Sequence, residues 1–166
     1  MPLKKILSLF LLSFSLIGSS NADFGDGLDA YNAGDHKTAL QEWLSLAEQD
    51  DIRAQYNVGW MNAYGIGTLK DYEQAVNWYR KSADQGFIHA QFNLGNMYLR
   101  GDGVEKDDNL AFSWFIKAAE QRDAASQYNL GRMYIMGKGV VANMAKARLW
   151  IKKAYENNDK NIAILA

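Results

Sequence analysis

Between residues 75 and 83, Ala75, Trp78, Tyr79, Ser82 and Ala83 fall at i, i+3, i+4, i+7 and i+8. That spacing lays an apolar stripe along one face of an α-helix. Ala111, Trp114, Phe115, Ala118 and Ala119 repeat it. Asp71, Asp107 and Asn143 stand just ahead of this helix in successive copies, and their side-chain oxygens can accept hydrogen bonds from first-turn amides, so they are predicted N-caps. An earlier helix is predicted from about Ala54 to Tyr64. It stops at Gly65-Ile66-Gly67, where a residue without Cβ takes positive φ at little cost. The pattern predicts paired helices and an all-α chain.

The pairs recur. Ala54-Gln55-Tyr56-Asn57-Val58-Gly59 aligns with Ala90-Gln91-Phe92-Asn93-Leu94-Gly95 and with Ser126-Gln127-Tyr128-Asn129-Leu130-Gly131, at an offset of 36 residues both times. The same offset carries Gly65 and Gly67 onto Gly101 and Gly103, then onto Gly137 and Gly139. Full units are expected at 54–89, 90–125 and 126–161. A partial hairpin is expected over 23–53, its second helix starting near Asp35, because Ala39 and Ala47 stand 36 residues before Ala75 and Ala83. One hairpin cannot bury both of its apolar stripes, whereas stacked hairpins share a long core. The predicted fold is therefore a right-handed α-α superhelix, a solenoid of helical hairpins, with Trp78, Trp114 and Trp150 in its core. Residues 162–166, mostly apolar, are expected to lie as a cap on the last hairpin. The recurring Asn57, Asn93 and Asn129 are expected to tie adjacent backbones, since a buried amide without partners costs about 1–3 kcal/mol.

Composition narrows the chemistry. At 166 residues, 48% hydrophobic and 22% charged, the chain can bury a continuous core. Its net charge of -1 gives no basic field for nucleic acid. With no cysteine and two histidines it lacks a disulfide framework, a thiolate metal site and a cysteine nucleophile, so neither metal nor cofactor is expected. Lys4 and Lys5 precede the stretch Ile6 to Ile17, followed by Ser20-Asn21-Ala22, the layout of a secretory signal peptide over residues 1–22 cleaved after Ala22. That stretch is shorter than the roughly 20 apolar residues of a membrane span, so no membrane insertion is expected after cleavage. Charge is polarised along the remainder, with -7 over Asp23 to Asp51 and +5 over residues 126–161. Opposite poles of this kind would favour weak end-on self-association.

Residues 90–125 carry the fullest set of repeat positions: Ala90, Leu94, Gly95, Met97, Tyr98, Gly101, Gly103, Val104, Asp107, Ala111, Trp114, Ala118 and Ala119. With them the chain resembles the SEL-1-like repeat family, relatives of tetratricopeptide repeats. The resemblance implies a periplasmic or secreted bacterial adaptor in cell-envelope regulation or assembly, holding a protein or peptide on a concave face lined by the first helix of each pair. On that face, varying positions rather than repeated ones can encode one ligand. The candidate partner-binding residues are Arg53, Tyr56, Trp60 and Tyr64 in the first full unit, His89, Phe92, Asn96 and Arg100 in the second, and Tyr128, Arg132 and Met136 in the third. Trp60, Tyr64, Arg100 and Arg132 lead this set as hot-spot residue types, while the repeated Tyr56, Phe92 and Tyr128 are expected to pack against the neighbouring first helix.

No enzyme motif is complete. Gly131 to Gly139 has one residue too many for a phosphate-binding loop, and Asp102 to Asp108 lacks the order of a calcium loop. The alternative is a cell-wall enzyme of β-lactamase or penicillin-binding type, as ascribed to cysteine-rich members of the family. Here the cysteines are missing, and Ser113 and Lys117, on the helix expected to face the core, are one residue too far apart for S-x-x-K. Sustained nitrocefin hydrolysis by the pure chain would favour that alternative.

Overall fold

The computed structural model describes the backbone of residues 23–164 and the side chains of residues 23–157; the expected signal peptide at 1–22 lies outside the described residues. Eight helices and no strands are present among the described residues. They are α1 (Phe24–Asn32), α2 (His36–Ala47), α3 (Ile52–Tyr64), α4 (Tyr72–Asp84), α5 (Ile88–Arg100), α6 (Asp108–Glu120), α7 (Ala124–Met136) and α8 (Met144–Ile164). Each helix packs on its neighbours in the chain, so the pairs stack as an all-α helical repeat superhelix.

Local chemistry sets the helix ends. The Asp71 side chain accepts from Gln74 N at 2.9 Å, Asp107 accepts from Asn109 N at 2.8 Å and Leu110 N at 2.9 Å, and Asn143 accepts from Lys146 N at 2.9 Å. All three predicted caps therefore form. Changing Asp107 to alanine removes both bonds, and thermal unfolding should register a loss of about 1 kcal/mol. Three acidic residues of the N-terminal pole also serve as caps: Asp23 for α1, Asp35 for α2 and Asp51 for α3. Thr38, through its hydroxyl and its backbone amide, holds the Asp35 carboxyl below the ordinary carboxylate range. Phe87, one period after Asp51, gives α5 no side-chain cap and instead lies 5.1 Å from the Tyr56 ring.

Within and between hairpins, close contacts fall where glycine removes a Cβ. Gly95 of α5 sits against Phe115 of α6, where a Cβ would come within 2.8 Å of the ring. In the turn after α5, Gly103 has φ +68° and rests directly on the backbone of Tyr72, the first residue of the preceding hairpin's second helix. The repeat thus carries its own docking surface.

The ties between hairpins correct one expectation. No hydrogen bond from Asn57, Asn93 or Asn129 to a neighbouring backbone is present among the described residues; the adjacent glutamines make those bonds. Gln55, Gln91 and Gln127 are buried and donate to the carbonyls of Ala47, Ala83 and Ala119 at 3.2, 3.1 and 3.0 Å. Their carbonyl oxygens accept from Gln85, Gln121 and Asn157 at 2.8, 2.9 and 2.7 Å. A glutamine is one methylene longer and reaches the last turn of the preceding helix. The result is a ladder of amides through the stack.

Two further expectations change. Trp114 is buried, but Trp78 and Trp150 are only half-buried, and the ammonium groups of Lys81, Lys117 and Lys153 lie 4.2, 3.8 and 4.4 Å from the centres of the Trp78, Trp114 and Trp150 rings. Ser113 and Lys117 are exposed on the outer side of α6 and do not face the core. At the C-terminus, α8 runs eight residues beyond the register in which α4 and α6 end at Asp84 and Glu120. No turn separates residues 162–164 from the helix. Residues 50, 86 and 122 take positive φ at the corresponding point, whereas Asn158 stays helical. How the 162–166 segment packs lies outside the described residues.

Candidate functional site

The first helices of the three full hairpins, α3, α5 and α7, share a groove of about 560 Å³. Its wall includes Tyr64 from α3, Phe92, Asn96 and Arg100 from α5, and Arg132 from α7. Five of the eleven candidate residues are therefore brought together. Tyr64 projects strongly, with 65% of its surface exposed, while Phe92 lies on Phe115 with ring centres 6.0 Å apart and forms part of the floor.

The other six are elsewhere. Trp60 and Tyr56 border a smaller cavity of about 270 Å³ with Tyr31 and Asn57. Trp60 contacts Tyr31 and Tyr64 at ring distances of 5.9 and 5.5 Å, and so bridges the N-terminal hairpin to the rest. Tyr56 is half-buried against Tyr79, Phe87 and His89, so it packs on the neighbouring first helix as expected. Tyr128 differs: it is 46% exposed beside Tyr155 because no further first helix follows it among the described residues. Arg53 is held over the Phe24 ring at 4.2 Å and pairs with Asp51 at 3.8 Å. His89 lies on Phe87 outside the groove, and Met136 is exposed at the end of α7.

Sequence reasoning missed Tyr72, Tyr79, Asn93, Asp102 and Asn129, all of which line the groove. The 36-residue recurrence of asparagine is a usable signal, although recurrence alone equally fits a role in the stack. Asn93 faces the hydroxyls of Tyr56 and Tyr79. One period later those tyrosines become Phe92 and Phe115, which offer no hydroxyl, and the Asn129 amide makes no hydrogen bond among the described residues. Asn96 donates to the carbonyl of Phe92 at 3.1 Å.

The groove is cationic. Arg100 and Arg132 face one carboxylate, Asp102, with Lys70 beside Tyr72 just outside. The ion pairs among the described residues are Arg53–Asp51 and Lys152–Glu156, so neither groove guanidinium is paired. Burial raises the Tyr79 phenol far above its ordinary value of 10.0, and the nearby Tyr56 adds to the rise, against a smaller lowering by Asn93. A raised folded-state pKa is a stability present below the unfolded value and lost as pH rises past it. Stability should accordingly fall as pH climbs above about 10, and Tyr79→Phe should flatten that alkaline limb in pH-dependent melting curves.

No group of three or more histidines, aspartates and glutamates is placed to hold a metal among the described residues, and no described helix is long and apolar enough to cross a membrane. The Sel1 repeat model matches residues 52–87, 88–123 and 124–159. Among solved structures, a Sel1 repeat protein from Oxalobacter formigenes is 34% identical with a TM-score of 0.77, over 81% of this chain and 56% of that one. The protective antigen c5321 of uropathogenic Escherichia coli, described as displaying an SLR fold, is 36% identical with a TM-score of 0.78, over 82% of this chain and 31% of that one. Cysteine-rich protein B of Helicobacter pylori shares the fold at 21% identity and a TM-score of 0.60, over 80% of this chain and 95% of that one. The chain thus spans about half of the first structure's length and a third of the second's. No curated protein matches it. Three consecutive repeats of matching sequence, folded as stacked hairpins, show that the chain belongs to the Sel1 repeat family.

Proposed function

We propose that the chain is an exported adaptor of the bacterial cell envelope, holding a polypeptide segment of a partner protein in the groove shared by α3, α5 and α7. Sel1 repeat scaffolds are generally protein-interaction modules, which supports the adaptor role. The observation that carries the site is the convergence of Tyr64, Phe92, Asn96, Arg100 and Arg132 on one open groove. An open groove suits an elongated ligand, and Tyr and Arg supply much of the binding energy at protein interfaces. Export rests on the residues from Lys4 to Ala22 and predicts Asp23 as the first residue of the protein recovered from the periplasm.

A photo-crosslinking amino acid at Tyr64, inside the groove, tests the site, with Ser113 on the outer side of α6 as the control position. In the native envelope, irradiation should give a discrete polypeptide adduct from position 64 and none from 113. Adducts from 113 alone, or from neither position, would overturn the assignment.

A further inference from the structure

Resting on the groove assignment above, we propose that its ligand is an extended peptide segment bearing carboxylate side chains, with Arg100 and Arg132 taking the carboxylates and the Asn129 amide pairing with the peptide backbone. Three observations converge. Both guanidiniums line one groove and are free of ion pairs among the described residues, leaving Asp102 as the only carboxylate in the wall. A guanidinium presents parallel N–H donors that match the two oxygens of a carboxylate, so paired arginines in a groove select for that group. The Asn129 amide, half-buried in the wall of the same groove, offers a donor and an acceptor that no described neighbour uses. A peptide bond presents the complementary acceptor and donor.

The spacing suits an extended chain. An extended peptide advances about 3.3 Å per residue, so a short segment reaches from one first helix to the next. Arg100 and Arg132 stand on successive first helices, α5 and α7. The ligand should therefore carry at least two acidic residues, one for each arginine. Aromatic or aliphatic residues between them would meet Phe92 and Tyr64.

The test uses a library of random twelve-residue peptides displayed against the full chain, the Arg100→Ala/Arg132→Ala variant and the Arg100→Glu/Arg132→Glu variant. The arginines are exposed, so all three proteins should fold alike, and far-ultraviolet circular dichroism verifies it. Selection on the unaltered chain should enrich Asp and Glu. The alanine variant should bind those peptides roughly tenfold more weakly, and the glutamate variant should enrich Lys and Arg instead. Asn129→Ala should weaken the acidic peptides too. Peptides that bind the unaltered chain without carboxylates, yet are lost with the glutamate variant, would overturn the carboxylate assignment while leaving the groove in place. Peptides indifferent to both arginine variants, or no enrichment at all, would overturn the groove as well. Binding of heparin or an oligouridylate more tightly than any selected peptide would assign the groove to a polyanion and defeat the proposal.

Discussion

Replacing Gly103 by valine should lower the melting temperature by about 10 °C, the expected consequence of a loss near 3 kcal/mol in a chain of this size. Two independent penalties combine. Gly103 has φ +68°, a conformation that costs an L-residue roughly 1–2 kcal/mol and a β-branched one more. Its missing Cβ would also meet the carbonyl carbon and oxygen of Tyr72, and a main-chain group at a helix start cannot step aside as a flexible side chain would. Overpacking of this kind costs about 1–3 kcal/mol. Gly34 supplies the control, because it has φ +83° with nothing within 4 Å of the position its Cβ would occupy. Gly34→Val should therefore incur the conformational penalty alone, and the difference in thermal unfolding between the two variants measures the docking contact. The Gly103 variant should also unfold over a broader range, since the coupling between hairpins is what makes the array melt as a unit. Equal losses for the two glycines would show that the turn does not hold the stack.

Gln55→Glu should cost about 3–5 kcal/mol at pH 7, although it exchanges one atom of similar size. The amide nitrogen it replaces donates to the Ala47 carbonyl and the Asp50 carboxylate, both at 3.2 Å. A carboxylate there turns a donor into a charged acceptor facing two acceptors in a fully buried position. Such a group has a raised pKa in the folded state, so the destabilisation is largest at neutral pH and shrinks on acidification through that raised value. Gln55→Met removes the same bonds without adding charge and should lose less, about 1–2 kcal/mol, with no comparable dependence on pH. Denaturation across a pH series separates them. A pH-independent Gln55→Glu loss would place the ladder's contribution in shape rather than in hydrogen bonding.

The contrast between glutamine and asparagine shows how far pattern reading reached. Gln55, Gln91 and Gln127 recur with the same period as Asn57, Asn93 and Asn129, and recurrence alone assigns both sets to the stack. Two positions along a helix turn the side chain by about 200°, so the glutamines point back into the preceding hairpin while Asn93 and Asn129 line the groove and Asn57 lines the smaller cavity beside Tyr31. Only the packed helices reveal which is which. The eleven candidates divide for a similar reason. Tyr64, Phe92, Asn96, Arg100 and Arg132 converge, whereas Trp60 and Tyr56 are drawn aside by aromatic partners from α1 and from the α4–α5 turn.

Helix starts, the glycine-terminated first helices and the 36-residue stack were all legible in order of residues, because N-caps, positive-φ glycines and apolar stripes act over a few positions and repeat. The unbroken run of α8 to Ile164, the exposure of Ser113, the amide ladder and the unpaired arginines of the groove depended on the tertiary structure. The ladder and the groove turn on which neighbour a side chain meets across 30 or more residues, and local periodicity carries no information about that.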